Sequence, residues 1–178
     1  MLRAIPLRTA RNLYNYSTMS RVAGTESFIL NHTMFRIKDP KASLKFYTEI
    51  LGMELVKKAD GGDFTNYFLA FPSPELASLS AEEKEARATS IPGVLELCHN
   101  WGTEDPSQNF EGYTNGNEEG KKGFGHIAVS VDDVQKSCDR FTELGVEFKK
   151  RPEEGKMRNI AFIYDPDHYW IEIVPKRL

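Results

Sequence analysis

The sequence has no long apolar run, only two cysteines and no acidic residue before Glu26. A membrane-spanning helix needs about 18 or more consecutive apolar residues, so a transmembrane role is excluded. Cys98 and Cys138 both occur in apolar patterns, which predicts two buried free thiols in a reducing compartment. The net charge is −3 although the segment before Glu26 is basic, so the rest of the chain is more acidic than that value indicates. Nucleic-acid binding needs a basic surface, which an acidic chain does not provide, so no nucleic-acid partner is expected.

Residues 1–25 contain four arginines, several serines and threonines and no acid. This composition is typical of a mitochondrial transit peptide. A disordered basic tail on a cytoplasmic protein has the same composition, and Met19 offers a second start that would omit most of the segment. Both interpretations stay open, so the chain is divided into a basic extension (1–25) and one domain (26–178) long enough to bury an interior.

The domain contains two diverged copies of one pattern, at about 30–98 and 123–175. Each copy begins with a histidine on its first predicted strand and ends with a glutamate on its last. The following residues coincide when one copy is placed on the other: His126 with His32, Asp133 with Asp39, Ser137 with Ser43, Phe141 with Tyr47, and Glu172 with Glu96.

Alternation, capping residues and turn residues predict the order β-α-β-β-β in each copy. Strands are predicted at 32–37, 53–56, 66–71, 94–98, 124–131, 146–149, 159–164 and 169–174, and the two helices at 40–51 and 133–144. Pro72 to Pro92 has no counterpart in the second copy, and we expect a surface loop with a short helix near Ala81 to Ala88. The turn before Tyr169 is expected to hold His168 in a left-handed conformation. One helix on four strands buries too little alone, so the two halves of this α+β fold should pack together or pair with another chain.

Two histidines and two glutamates occupy equivalent places in the two copies. If a pseudo-two-fold axis relates the copies in a curved mixed sheet, it would bring His32, Glu96, His126 and Glu172 together. Imidazole and carboxylate ligands suit Zn²⁺, Ni²⁺, Co²⁺ or Fe²⁺. A lone strand histidine is more often a core residue than a ligand, but the joint recurrence favours a metal site. The charged Glu96 and Glu172 also interrupt apolar strands, which is costly unless each finds a cation.

Basic residues form a second candidate group, suited to an anionic small molecule. Most are expected to be solvated surface, but Arg36 lies on a strand four residues from His32, and arginine can bind a carboxylate through two hydrogen bonds. The other members are Lys121, Lys122, Lys149, Lys150, Arg151 and Lys156.

Four stretches resemble the motifs of glyoxalase I (lactoylglutathione lyase), a family of the vicinal oxygen chelate superfamily of paired βαβββ modules. The resemblance extends over about residues 30–175, and the motifs themselves lie at 32–53, 95–104, 123–126 and 165–172. The resemblance implies an enzyme that isomerises the hemithioacetal of methylglyoxal and glutathione to S-lactoylglutathione by proton transfer through an enediolate. It also implies a homodimer, because in dimeric members each site takes one half from each subunit.

The resemblance also implies roles for individual residues. The metal ligands would be His32, Glu96, His126 and Glu172, and Glu172 matches the catalytic base, with Glu96 able to share the proton work. Arg36, Asn100 and Lys122 match positions that hold the γ-glutamyl end of glutathione. Lys150, Lys156 and Met157 match those that hold its glycine carboxylate.

Two departures from the family pattern concern the metal and the substrate. Zinc-dependent eukaryotic members usually have glutamine where this chain has His32, and histidine there is similar to the nickel-dependent bacterial enzymes. The 72–92 insert and the basic extension resemble the longer zinc type, so Zn²⁺ is favoured, with Ni²⁺ and Co²⁺ as alternatives. Lys122 replaces the usual arginine, which predicts weaker binding of glutathione.

Two other functions stay open on the residues. One is a different metal enzyme of the superfamily, such as a dioxygenase or an epimerase; dioxygenases typically need two histidines and one carboxylate with open positions. The other is a metal-free module that sequesters a small ligand, which would not need all four ligand positions.

Overall fold

The computed structural model describes residues 22–176. The predictions for the basic extension and for Met19 therefore fall almost entirely outside the described residues. Within the described range no helix is long and apolar enough to cross a membrane.

The elements follow the predicted β-α-β-β-β order twice. The first half contains β1 (His32–Ile37), α1 (Pro40–Lys45), β2 (Glu54–Asp60), β3 (Phe64–Ala70), α2 (Pro74–Ala77), α3 (Ala81–Arg87) and β4 (Val94–Asn100). The second half contains β5 (His126–Val131), α4 (Val134–Glu143), β6 (Phe148–Lys150), β7 (Ala161–Tyr164) and β8 (Trp170–Pro175). A π-helical turn at Phe46–Ile50 continues α1, and 3₁₀ turns occupy Ala88–Ser90 and Pro106–Gln108.

The two halves use the same local signals to start and end their helices. Asp39 and Asp133 cap α1 and α4, and each side chain accepts a hydrogen bond from a backbone N–H of the first turn. Gly52 and Gly145 follow the two helical segments with φ of 79° and 71°, a conformation that disfavours side chains. The helices therefore begin and end where the sequence predicted.

The strands form two four-stranded mixed sheets of identical topology, β1-β4-β3-β2 and β5-β8-β7-β6. In each sheet the first and last strands of the repeat run parallel, and the other pairs are antiparallel. The predicted fold class is confirmed, with one difference: a single curved sheet was expected, and two sheets are present. The reason is that β1 and β5 both end their sheets, and no ladder joins them within residues 22–176.

One apolar core joins the halves. It contains Phe35, Tyr47 and Leu97 from the first half and Phe141 and Ile171 from the second, all nearly inaccessible to solvent. The expected packing of the two halves against each other is therefore present. Both cysteines are buried and free, as predicted.

Polar contacts also cross between the halves, mostly at the turn before β8. The Tyr47 hydroxyl donates to Oδ2 of Asp165 at 2.7 Å, and the backbone N–H of Lys38 donates to Oδ1 of Asp167 at 2.9 Å. His168 in the same turn has φ of 62°, as expected. Because core and turn contacts hold the two halves together, the outward faces of the two sheets are fixed in position relative to each other.

The 72–92 insert packs on the first sheet. Leu76 and Ala88 form a small second core with Val56, Ala70 and Val94. Alternation along β4 places Val94 on the same face as Glu96, so the insert covers one end of that face. The predicted short helix is present as α3, whereas α2 was not predicted.

Candidate metal centre

The first candidate ligand pair lies on adjacent parallel strands of the first sheet. Nε2 of His32 is 3.0 Å from Oε2 of Glu96. The His32 side chain is 41% exposed and that of Glu96 11%. The pair therefore lies at the open face of the sheet, with the carboxylate the deeper of the two groups.

The hydrogen bonds of Asn31 indicate which ring nitrogen of His32 carries the proton when the ring is neutral. Both N–H groups of the Asn31 amide donate to backbone carbonyls of the insert, those of Ala88 at 2.9 Å and Ile91 at 2.7 Å. The amide oxygen of Asn31 therefore faces Nδ1 of His32, at 2.7 Å, and must accept its proton. In the neutral ring this leaves the lone pair on Nε2, directed at Glu96.

The second half repeats this pair. Nε2 of His126 is 3.3 Å from Oε2 of Glu172, and the side chains are 41% and 19% exposed. The strand register is also the same, because Met34 pairs with Glu96 and Ala128 with Glu172, each two residues beyond the histidine. The recurrence seen in the sequence is thus a recurrence in space.

The chain brings the four residues together as two pairs and not as one cluster. Within residues 22–176 no group of three or more His, Cys, Asp or Glu side chains is placed to hold a metal ion. The expectation that the internal axis would gather all four in one chain is therefore not met. The reason is that the halves pack through their helices and buried sheet faces, which leaves the two pairs on separate open faces.

Three of the predicted substrate-binding residues lie close together further along the first sheet, where Arg36 and Asn100 are each four residues beyond a member of the first pair. Nη1 of Arg36 is 3.5 Å from the amide oxygen of Asn100, across the β1–β4 ladder. Arg36 and Lys122 line one cavity of about 380 Å³, together with Phe124 and Tyr169. The structure thus groups a guanidinium, an ammonium and an amide where an anionic ligand could bind.

The residues predicted to hold a second carboxylate are arranged differently. Nζ of Lys150 donates to the backbone carbonyls of Arg151, Met157 and Ile160 at 2.7–3.0 Å. These contacts take all three N–H groups of the ammonium. Lys150 therefore fastens the loop that carries Lys156 and Met157, both of which are exposed.

Residues 29–173 match the model of the Glyoxalase/Bleomycin resistance protein/Dioxygenase superfamily. The lactoylglutathione lyase of Pseudomonas aeruginosa is 47% identical over 157 residues, 86% of this chain and 86% of that protein. The chain belongs to this superfamily and to its glyoxalase I family.

Two further relatives agree with this assignment. The lactoylglutathione lyase of Schizosaccharomyces pombe is 44% identical over 167 residues, which are 93% of this chain but 51% of that protein. The chain thus spans about half the length of that relative. The structure of the trypanothione-dependent glyoxalase I of Leishmania major matches with a TM-score of 0.58 and 31% identity, covering 83% of this chain and 86% of that one.

The glyoxalase I family implies a divalent metal ion and glutathione as a substrate, and the two pairs fit such an ion. With its proton on Nδ1, the neutral ring of His32 presents a lone pair to the Glu96 carboxylate, 3.0 Å away. Two acceptors at that distance repel each other unless a proton or a cation lies between them. A hydrogen bond that fixes the outer ring nitrogen is also the usual arrangement behind a metal-bound histidine.

The sequence did not predict three features around the candidate ligand pairs. Asn31 orients His32, and its position directly before the histidine was the available signal. Phe68 and Phe162 each meet their histidine edge-on, at centroid distances of 6.0 and 5.2 Å, and repeat symmetry could have revealed them. Asn66 contacts Glu96 and has no counterpart in the second half, so the repeat gave no signal for it.

Proposed function

We propose that this chain is a metal-dependent lactoylglutathione lyase, which converts the hemithioacetal of methylglyoxal and glutathione to S-lactoylglutathione. The observation that carries the proposal is the duplicated His–Glu pair, at 3.0 Å in one half and 3.3 Å in the other, on the open faces of matching sheets. The names of the relatives that align over most of this chain support the same activity.

The reaction moves one proton from C1 to C2 of the substrate. A divalent ion, when bound, stabilises negative charge on two adjacent substrate oxygens. A carboxylate must then remove the proton and return it to the neighbouring carbon. Glu172 has this role in the proposal, because its carboxylate is the more exposed of the two and lies beside an open sheet face.

The glutathione part of the substrate carries carboxylates that need cations. Arg36, Asn100 and Lys122 are proposed to hold the γ-glutamyl end, since Arg36 and Lys122 line one cavity and Asn100 accepts a hydrogen bond from Arg36. The loop with Lys156 and Met157, held in place by Lys150, is proposed to receive the glycine carboxylate. Lys150 itself can take part only if it releases one of its three carbonyl partners.

The complete site is proposed to form between two copies of the chain. Each copy supplies one His–Glu pair from its first half and one from its second, and four ligands result only when pairs from different copies face each other. The open face of β1 would contribute an apolar side chain to such a contact, because Met34 lies between His32 and Arg36 and is 44% exposed. The domain 26–178 is thus proposed to act as a homodimer with one ion per site, Zn²⁺ in preference to Ni²⁺ or Co²⁺.

The experiment that tests this function uses protein stripped with a chelator. Methylglyoxal and glutathione are mixed, and thioester formation is followed after Zn²⁺ or Ni²⁺ is added back separately. Thioester formation with zinc is expected. Restoration by nickel alone would keep the reaction and contradict the choice of metal, and tight metal binding without thioester would contradict the reaction.

A further inference from the structure

The two candidate carboxylates are held unequally. Oε1 of Glu96 accepts a hydrogen bond from the amide Nδ2 of Asn66 at 2.5 Å, and Oε2 faces Nε2 of His32 at 3.0 Å. Both carboxylate oxygens of Glu96 therefore have partners. Asn66 lies on β3 two residues before Phe68, which pairs with Glu96, so its side chain shares the face of the ligand.

The second half lacks this contact. Phe162 pairs with Glu172 as Phe68 pairs with Glu96, and the residue two positions before it is Ile160. An isoleucine side chain cannot donate a hydrogen bond. Within residues 22–176, Oε1 of Glu172 has no hydrogen-bond partner, and its other oxygen is 3.3 Å from His126.

The amide of Asn66 is unfavourable for folding in its own right. Its oxygen, Oδ1, is buried and has no partner among the described residues. An unpaired buried acceptor destabilises the folded state, and an apolar side chain such as that of Ile160 avoids this effect. The Asn66 amide must nevertheless point Nδ2 towards Glu96, because only Nδ2 can donate a hydrogen bond to the carboxylate. The hydrogen bond to Glu96 therefore explains why an amide occupies this position.

Asn31 restrains the other member of the same pair. It fixes the ring of His32, whereas the residue before His126 is Gly125, which has no side chain. The first half therefore holds both its imidazole and its carboxylate by amides, and the second half holds neither in this way.

We propose that Asn66 is a positioning residue that restrains Glu96 as a fixed ligand and thereby leaves Glu172 as the carboxylate free to move the proton. The proposal rests on the proposed function for the proton step, but the restraint on Glu96 does not depend on the substrate. A group that fixes the orientation of a metal ligand typically contributes to metal affinity. A carboxylate without such a partner can turn between the ion and the reacting carbon.

The first arm of the test measures metal affinity without substrate. Full-length protein is titrated with Zn²⁺ against a competing chelator for the wild type and for Asn66→Leu, which keeps the branched shape of the side chain and removes the donor. Weaker zinc binding by about tenfold or more is expected. Unchanged affinity in a folded Asn66→Leu protein would overturn the proposal. Asn66→Ala is measured in parallel, so that the result does not depend on one variant folding.

The second arm gives the second half the amide that it lacks. Ile160→Asn places a donor at the position equivalent to Asn66, and it is expected to restrain Glu172. Turnover should fall at least tenfold in kcat, with KM little changed and zinc binding no weaker than in the wild type. An unchanged kcat in the folded variant would contradict the role given to Glu172. If the wild type forms no thioester at all, the proposed function fails, and the zinc titration still decides the role of Asn66.

Discussion

Asp165 is a buried carboxylate between the two halves, and its ionisation should make stability depend on pH. Oδ2 accepts the Tyr47 hydroxyl at 2.7 Å, and Oδ1 accepts the backbone N–H groups of Asp167 and Tyr169 at 2.9 and 2.8 Å. Burial raises the pKa of Asp165 from its ordinary value of 3.8 to about 7, and the nearby Asp167 adds to this, although the three hydrogen bonds oppose it.

Because the pKa of Asp165 is higher in the folded protein than in the unfolded chain, ionisation of this group lowers stability as the pH rises. Between pH 4 and pH 7 the folded protein keeps the proton on Asp165, whereas the unfolded chain loses it. This group's contribution to the free energy of unfolding is therefore fully present below pH 4 and is lost as the pH rises to 7. At about 1.4 kcal/mol per pH unit, the loss across this interval is roughly 4 kcal/mol.

Asp165→Asn removes the ionisation and keeps the geometry. The amide oxygen can accept the two backbone N–H groups, and the amide nitrogen can donate to the Tyr47 hydroxyl. Urea unfolding at several pH values should show wild type losing stability relative to Asp165→Asn from pH 4 to pH 7. Asp132→Asn, at an exposed carboxylate, is the control and should follow the wild type. A difference between Asp165→Asn and wild type that is constant over this interval would refute the reasoning.

Three further predictions concern the site and the core. Glu172→Gln should lower thioester formation by about 10²–10⁴ with the fold intact by circular dichroism, and near-normal turnover would contradict its role. Lys122→Arg should lower KM for the hemithioacetal with kcat little changed, because a guanidinium can bind a carboxylate through two hydrogen bonds; exposed Lys136→Arg is the control, and an unchanged KM would remove Lys122 from the glutathione site. Leu97→Ala should lower the free energy of unfolding by about 2–5 kcal/mol, since Leu97 is fully buried. Leu55→Ala, at a position that is 44% exposed, should cost much less, and equal losses would contradict the described core.

The sequence predicted the features that the repeat made visible. Aspartate caps, glycine ends and strand alternation recur in both halves, so the element order and the His–Glu pairs could be found without coordinates. His168 could be placed in a left-handed turn from its local sequence alone. The ends of strands differ from the prediction where the neighbouring strand determines them. For example, β2 extends to Asp60 because β3 pairs with it up to that residue.

Features set by tertiary contacts could not be predicted in this way. The separation of the two ligand pairs depends on how the halves pack, which no local pattern encodes. The resemblance predicted that Lys150 holds the glycine carboxylate of glutathione, and nothing in the sequence indicated that its ammonium group donates to three backbone carbonyls of its own loop. Asn66 breaks the repeat, so a search for equivalent positions passed over the residue that distinguishes Glu96 from Glu172.

The central claim is that each site combines the first pair of one chain with the second pair of another. Two inactive variants test it directly: His32→Ala/Glu96→Ala in one chain and His126→Ala/Glu172→Ala in the other. Refolded together in equal amounts, half of the dimers should contain both chains, and each mixed dimer should have one intact site. Thioester formation at about a quarter of the wild-type rate is predicted. Mixed dimers that form and remain inactive would contradict the account.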